Sequence, residues 1–264
     1  MWAFAEAPGV PTEQRDIARR TLDHQLETVG RAARAGVIDE LIRIKGADRA
    51  RGAAFRPGRE AQMMQVLAER HRGSVPLSMI VHVWREIIST FTFMQAPYRL
   101  HLAEGEKPAA MRDAARYHFG FTVEIVAHDD APSAMAAAGD EPNALAVVPL
   151  SGAGAWWNAL DATNGISVMA RLPVTDVPFD SSDAFVLSPP LSDPVPFDLR
   201  LYTGIVERPG ALDGWRGGHV IAAGKGDDRT LIAIPSGGSA PPGLLDIRAA
   251  GGYFAPASCT DENR

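Results

Sequence analysis

Five polar residues occupy predicted helical positions where they could bind a small anion. Arg34 and Lys45 are eleven residues apart, close to three full turns, so both side chains project from the same face of a predicted helix. Arg59 and Glu60 begin a second predicted helix, where free backbone N–H groups and the helix dipole favour anions. Gln95 lies near the end of a third predicted helix. These residues together indicate a site for a small anionic molecule.

The first predicted helix runs from residue 11 to about residue 47, where apolar residues recur at steps of mostly three and four. A helix of this length cannot bury its apolar stripe against two shorter helices, so we expect a dimer in which two long helices lie side by side. Arg19 is too far from Arg34 to reach the same ligand within one subunit, because a helix rises about 1.5 Å per residue. In an antiparallel dimer, Arg19 reaches the partner subunit's site.

Two further helices are predicted before residue 98. The second covers residues 59–71 and has Pro57 at its entry, and the third lies between Pro76 and Pro97. One stripe of the third helix carries four apolar residues and one amide: Ile80, Trp84, Ile88, Phe91 and Gln95. The pattern predicts that Gln95 is the polar group that closes this apolar face.

The pattern changes after Tyr98, where short apolar strands alternate with helical stretches up to residue 174. Residues 175–196 are rich in Pro, Ser and Asp and indicate a linker or an interrupted strand region. Four later apolar segments, LRLYTGIVE, HVIAAG, TLIAIP and LLDIRAAGGYF, predict a small sheet. The rear of the chain is therefore expected to be an α/β module.

Two strings carry a resemblance to a known family. FRPGREAQMMQVL and VWREIISTFTFMQAPYRLHLA, with Arg34 and Lys45 at matching spacing, resemble the all-helical chorismate mutases, and more closely the mutase domain of bifunctional chorismate mutase/prephenate dehydratases. The resemblance implies an α + α/β chain. Residues 1–97 would form a three-helix mutase domain in an intertwined helical dimer, and residues 98–264 a smaller, degenerate prephenate-dehydratase-like α/β module with an ACT-like remnant at 198–258.

The resemblance also assigns the binding of substrate. Arg34 and Arg19 fall where the family binds the two substrate carboxylates, with Arg19 donated across the dimer. The spacing between Arg19 and Arg34 needs a small shift relative to the family, so Arg15 or Arg20 could serve in place of Arg19.

The resemblance assigns roles to four further residues of the site. Lys45 and Gln95 fall where the family hydrogen-bonds the ether oxygen, and Arg59 with Glu60 fall where it orders the site and contacts the substrate hydroxyl. At the position of Phe91 the family often has a small polar residue, so this chain departs from the family's pattern in the pocket.

The implied activity is the rearrangement of chorismate to prephenate, an isomerase reaction of aromatic amino-acid biosynthesis. It is unimolecular, so the protein would act by conformational restraint and by preorganised donors, and no metal or cofactor is expected. Two alternatives stay open at this point: a weak or inactive regulatory protein that binds chorismate-like ligands, and a truly bifunctional mutase/dehydratase. Isochorismate is a further possible ligand of such a site.

Composition limits the classes of partner. The net charge is −6, and the arginines of the front half lack interleaved aromatic residues, so a nucleic-acid partner is not expected. Apolar runs fall short of the roughly 18 residues that a membrane span needs, and no basic leader precedes the first apolar stretch. We expect a cytoplasmic homodimer that binds a small molecule. Cys259 is the only cysteine, so no intramolecular disulfide forms.

Overall fold

The computed structural model describes residues 55–72, 74–150, 154–160, 165–175, 183–191, 196–225 and 228–257. Within them, four α-helices are α1 (Pro57–Arg70), α2 (Leu77–Gln95), α3 (Pro108–Phe119) and α4 (Ala131–Asp140), and a short 3₁₀ helix covers Trp156–Ala159. The strands are β1 (Arg99–Ala103), β2 (Glu124–His128), β3 (Leu145–Pro149), β4 (Ser167–Leu172), β5 (Ala184–Ser188), β6 (Leu199–Val206), β7 (His219–Ala222), β8 (Thr230–Pro235) and β9 (Leu244–Tyr253). None of the described helices is both long and apolar enough to cross a membrane.

The described strands form one mixed sheet in the order β2-β1-β3-β5-β4-β9-β6-β8-β7. Strands β1, β2 and β3 are parallel, and the chain crosses between them through α3 and α4. Strand β5 pairs antiparallel with both β3 and β4, whereas β6, β7, β8 and β9 form an antiparallel group. A single parallel residue pair, Val168 with Gly251, joins β4 to β9.

Helices α3 and α4 cover opposite faces of the parallel strands. Met111 and Phe119 of α3 pack in one core with Leu100 and Leu102 of β1, whereas the small residues of α4 pack in another core with Ala103. Each of the two helices begins with a proline in its first turn, where the missing N–H costs nothing. The Asp130 side chain also caps α4 by accepting a hydrogen bond from the Ser133 N–H at 2.7 Å.

Helices α1 and α2 correspond to the second and third predicted helices, but α2 turns a different face inward. Its fully buried residues are Val81, Arg85 and Ser89, at steps of four, while Trp84 from the predicted apolar stripe is exposed. The prediction of the buried face is wrong. Periodicity assigns arginine and serine to the solvent-facing side of a helix, but Arg85 and Ser89 are buried because they form hydrogen bonds with α1 and α3.

The predicted fold class is wrong. The described chain is an α/β structure with a nine-stranded mixed sheet, whereas the sequence predicted a three-helix intertwined domain followed by a smaller module. Phe55 and Tyr98, which flank α1 and α2, lie in the same core as Phe119, so these two helices pack onto the sheet layer. The predicted domain boundary between residues 97 and 98 stays a prediction, and the predicted helix at 11–47 lies outside the described residues.

Of the two alternatives for residues 175–196, a linker or an interrupted strand region, the structure supports the second. It contains β5, whose five residues are all buried between β3 and β4 at the centre of the sheet. The Pro, Ser and Asp residues that flank this short apolar run conceal it in the sequence.

Candidate functional site

Arg85 organises a buried polar network where α1, α2 and α3 meet. Its side chain is 1% exposed, and its Nη1 donates to Oε2 of Glu60 at 2.8 Å. Its Nε and Nη2 donate to the carbonyl oxygen of His118 at 3.0 and 2.8 Å, and the Ser89 hydroxyl donates to the same oxygen at 3.0 Å. The forked guanidinium thus fixes a carboxylate from α1 and the C-terminal turn of α3 in one geometry.

His118 is the buried imidazole of this network. Its side chain is 3% exposed, and its Nε2 lies 3.7 Å from Oε2 of Glu60, which is beyond hydrogen-bond distance. Nε2 has no hydrogen-bond partner within the described part of the chain. Burial first, and then the Arg85 charge, hold the pKa of His118 well below its usual value, so the imidazole is neutral at pH 7.

A small cleft opens beside this network. It is lined by residues of α1 and α3, by β4 and by the segment that follows β9, including Glu60, His118, Arg171, Val174 and Phe254. The empty space of the cleft, with the part open to solvent, is about 290 Å³. Most of this space is open or narrow, and its enclosed part has room for about one water-sized group, such as one end of a small ligand.

Arg171 supplies the positive charge of the cleft. Its Nη2 donates to Oδ2 of Asp183 at 2.8 Å, and its guanidinium carbon lies 5.9 Å from the ring centroid of Tyr253. The Nε of Arg171 is buried and, like Nε2 of His118, has no hydrogen-bond partner among the described residues. Buried polar atoms are rarely left without a partner, so each such atom calls for an explanation.

Tyr98 lies buried near the same carboxylate. Its pKa is raised above the usual value by burial first and then by the negative charge of Glu60, while the Arg85 charge opposes the shift. The phenol is therefore protonated at neutral pH. The network as a whole offers a neutral imidazole, and a carboxylate whose charge is already matched by Arg85.

The stability of the protein is expected to fall in acid because of His118. The folded-state pKa lies below the unfolded value of 6.5, so the contribution is complete above pH 6.5 and is lost as the pH falls below it. The loss is about 1.4 kcal/mol per pH unit for one proton. Urea unfolding of the native chain and of His118→Asn between pH 7.5 and 5 measures this slope. Equal slopes in the two proteins would contradict the assignment.

The predicted site residues are only partly brought together. Glu60 lines the cleft, but Arg59 is exposed on α1 and Gln95 ends α2, and neither of them lines it. Phe91 is partly buried on α2. The remaining predicted positions lie outside the described residues: Arg15, Arg19, Arg20, Arg34 and Lys45. The roles of the predicted set in binding a small anion thus stay a prediction.

Sequence reasoning missed His118 and Arg171. A signal for His118 was present, because it follows Met111 by seven residues and Ala114 by four, which places it on the apolar face of α3. Arg171 gives no such signal, since it lies in the apolar strand β4, and only the fold brings it beside α1 and α3.

Comparisons with known proteins identify no family. No family model matches the chain, and no curated protein matches it. A solved structure described as "GqqA- a novel type of quorum quenching acylases" is similar over 60% of this chain and 95% of its own, with 17% sequence identity and a TM-score of 0.41. A TM-score below 0.5 carries no inference about activity.

The chorismate mutase interpretation, including the isomerase activity, is wrong. The described residues are built around a nine-stranded mixed sheet and not on the all-helical architecture that this interpretation implied. The strings that carried the resemblance have a structural explanation, because Glu60 of the first and Arg85 of the second are partners in one buried ion pair.

Proposed function

We propose that the cleft between α1, α3 and β4 is a binding site for a small molecule with an anionic group, such as a short carboxylic acid. One observation carries the proposal: His118 and Arg171 line the same cleft, and each has a buried nitrogen, Nε2 and Nε respectively, without a hydrogen-bond partner among the described residues. A ligand that accepts hydrogen bonds from both would satisfy them.

The charges around the cleft support an anion. The negative charge of Glu60 is matched by Arg85 at 2.8 Å, so it does not repel a ligand as a free carboxylate would. Arg171 is paired through Nη2 with Asp183, whose side chain is 46% exposed. A guanidinium has five N–H donors, so Nε of Arg171 can bind a carboxylate while Nη2 keeps its contact with Asp183.

Loss of the Arg171 charge is expected to weaken ligand binding. Hydrogen bonds to charged groups contribute about 1.5–3 kcal/mol, so Arg171→Met should weaken binding about tenfold to a hundredfold. The measurement is an NMR titration of the full chain with acetate, pyruvate and inorganic phosphate, followed at the backbone amides of the lining residues Ala170 and Phe254 in every variant and at the arginine Nε–H signals in the native chain. Shifts that saturate, including the shift at Arg171 in the native chain, are the expected result.

Arg112→Met is the matched control. Arg112 also forms an ion pair with a carboxylate, Glu104, but it is more than half exposed and does not line the cleft. It should bind the same probes as the native chain does. The absence of any saturable shift at Arg171, or an equal loss of binding in both variants, would contradict the proposal.

We also propose a cytoplasmic homodimer, as expected from the sequence. Large apolar side chains on α1 and α2 remain exposed, among them Met63, Met79 and Met94 at 41, 59 and 44%. Contact with a second copy of the chain would remove these side chains from water. Light scattering should give twice the chain mass of 28.2 kDa, and a monomer at micromolar concentration would contradict the dimer.

A further inference from the structure

A second polar cluster lies beneath α4, on the opposite face of the sheet from α3. His101 of β1 and His128 of β2 have their ring nitrogens Nδ1 and Nε2 2.9 Å apart. The other ring nitrogen of His101, Nε2, lies 3.2 Å from Oε2 of Glu141, which follows the last residue of α4. His101 is 5% exposed. Three titratable side chains from three elements are thus joined in one row.

The contacts fix the positions of the protons. A carboxylate only accepts hydrogen bonds, so Nε2 of His101 carries a proton and donates it to Glu141. In a neutral His101 the other nitrogen, Nδ1, is then an acceptor. His128 must therefore carry its proton on Nε2 and donate it to Nδ1 of His101. This leaves Nδ1 of His128 with a free lone pair.

We propose that Glu141, His101 and His128 form a proton relay in which His128 is the proton-accepting end. When a proton binds to Nδ1 of His128, the proton on its Nε2 can move to Nδ1 of His101. The proton on Nε2 of His101 can in turn move to Glu141. No bond other than N–H and O–H changes, and the single added charge is shared with a carboxylate at the far end of the row.

The position of the relay places its accepting end at a sheet edge where ligands often bind. His128 is the last residue of β2, at the carboxyl end of a parallel strand and two residues before the Asp130 cap of α4. His128 is partly exposed, whereas His101 is buried. The proton can therefore come from solvent or from a small molecule at this edge.

The charged groups around the relay set its proton affinity. Burial first, and then the neighbouring His101, lower the pKa of His128, while Asp130 and Asp129 in the loop after β2 oppose this shift. Arg99 of β1 contacts Glu141 at 3.2 Å and also binds Glu124 of β2 at 2.9 Å. If both imidazoles were positively charged, the two facing nitrogens would each carry a proton, and the N–H···N hydrogen bond between His128 and His101 would be lost. The row of three side chains therefore takes up one proton while this hydrogen bond remains.

The experiment compares Glu141→Gln with Glu124→Gln in the full chain. Both glutamates bind Arg99, but of the two only Glu141 contacts His101, so the pair separates the relay from a general loss of charge. Long-range ¹H–¹⁵N NMR should show both histidines protonated on Nε2 at pH 7. Glu141→Gln should lower the midpoint of proton uptake at His128 by roughly half a pH unit or more, because a negative charge is removed from the row.

Glu124→Gln should shift that midpoint by less than half as much, because Glu124 lies outside the row. A His101 that is protonated on Nδ1 in the native chain would overturn the relay, since Nδ1 could then not accept from His128. Equal midpoint shifts in the two variants would overturn it as well. His128→Asn supplies a further arm: His101 should then keep its contact with Glu141 and its Nε2 proton.

Discussion

Arg85→Met is expected to lower the free energy of unfolding by about 3–5 kcal/mol, because it leaves the buried Glu60 carboxylate without a partner. The Arg85 side chain is 1% exposed and that of Glu60 is 9% exposed, so water does not replace the lost guanidinium. The carbonyl of His118 also loses two donors. Urea denaturation at pH 7.5 measures the change.

Two variants separate the buried pair from a general effect of losing an arginine. Arg112→Met removes the 57% exposed arginine of the pair with Glu104 and should cost less than about 1 kcal/mol. Glu60→Leu combined with Arg85→Met removes both buried charges and should recover most of the stability lost in Arg85→Met. A loss below about 1 kcal/mol in Arg85→Met would show that the pair is not buried in this way.

Gly251→Ala is expected to destabilise the protein by about 3 kcal/mol or more, because it disrupts the junction between the two parts of the sheet. Gly251 has φ +111°, and it forms the residue pair with Val168 that joins β9 to β4. A Cβ at this position would overlap the Val168 carbonyl oxygen and would lie 2.6 Å from the Val168 backbone nitrogen. Thermal and urea unfolding measure the loss.

Gly237→Ala is the matched control for the backbone conformation. Gly237 has φ +85°, but a Cβ added there meets no atom within 4 Å. Its cost should be the conformational strain of roughly 1–2 kcal/mol and no more. Equal losses in Gly237→Ala and Gly251→Ala would contradict a steric role for the β4–β9 junction.

Local elements were predictable because their signals lie within a few residues. The apolar segments at β1, β3 and β8, the proline at the start of α1 and the amphipathic pattern of α3 all indicated the observed type of element. Such signals depend on side-chain periodicity and on backbone chemistry, which the sequence shows directly. The order of the strands does not follow from them.

The sheet could not be assembled from the sequence, and β5 shows why. Four apolar residues and a serine between polar, proline-rich flanks are compatible with a linker, yet β5 lies between β3 and β4. The junction of Val168 with Gly251 joins segments more than eighty residues apart through backbone contacts. Neither pairing leaves a pattern in side-chain type that a single sequence can reveal.

The candidate site was also only partly predictable from the sequence. The sequence singled out Glu60, which lines the cleft, but its partner Arg85 was noted only as part of a family string. Helix periodicity treats an arginine as solvent-facing, although a guanidinium with three of its nitrogens hydrogen-bonded can be fully buried. His118 and Arg171 come together only through the fold, so the cleft could not be predicted.

The most direct test of the cleft is a crystal structure of the full chain grown without carboxylates or phosphate and then soaked with pyruvate. We predict density for a carboxylate within hydrogen-bond distance of both Nε2 of His118 and Nε of Arg171, which are buried and lack partners in the part of the chain that the structure describes. Crystals of Arg171→Met soaked in the same way should lack this density. The native crystal should be soaked at a pyruvate concentration that saturates the NMR shifts. If the cleft then shows no density for pyruvate, the account is contradicted.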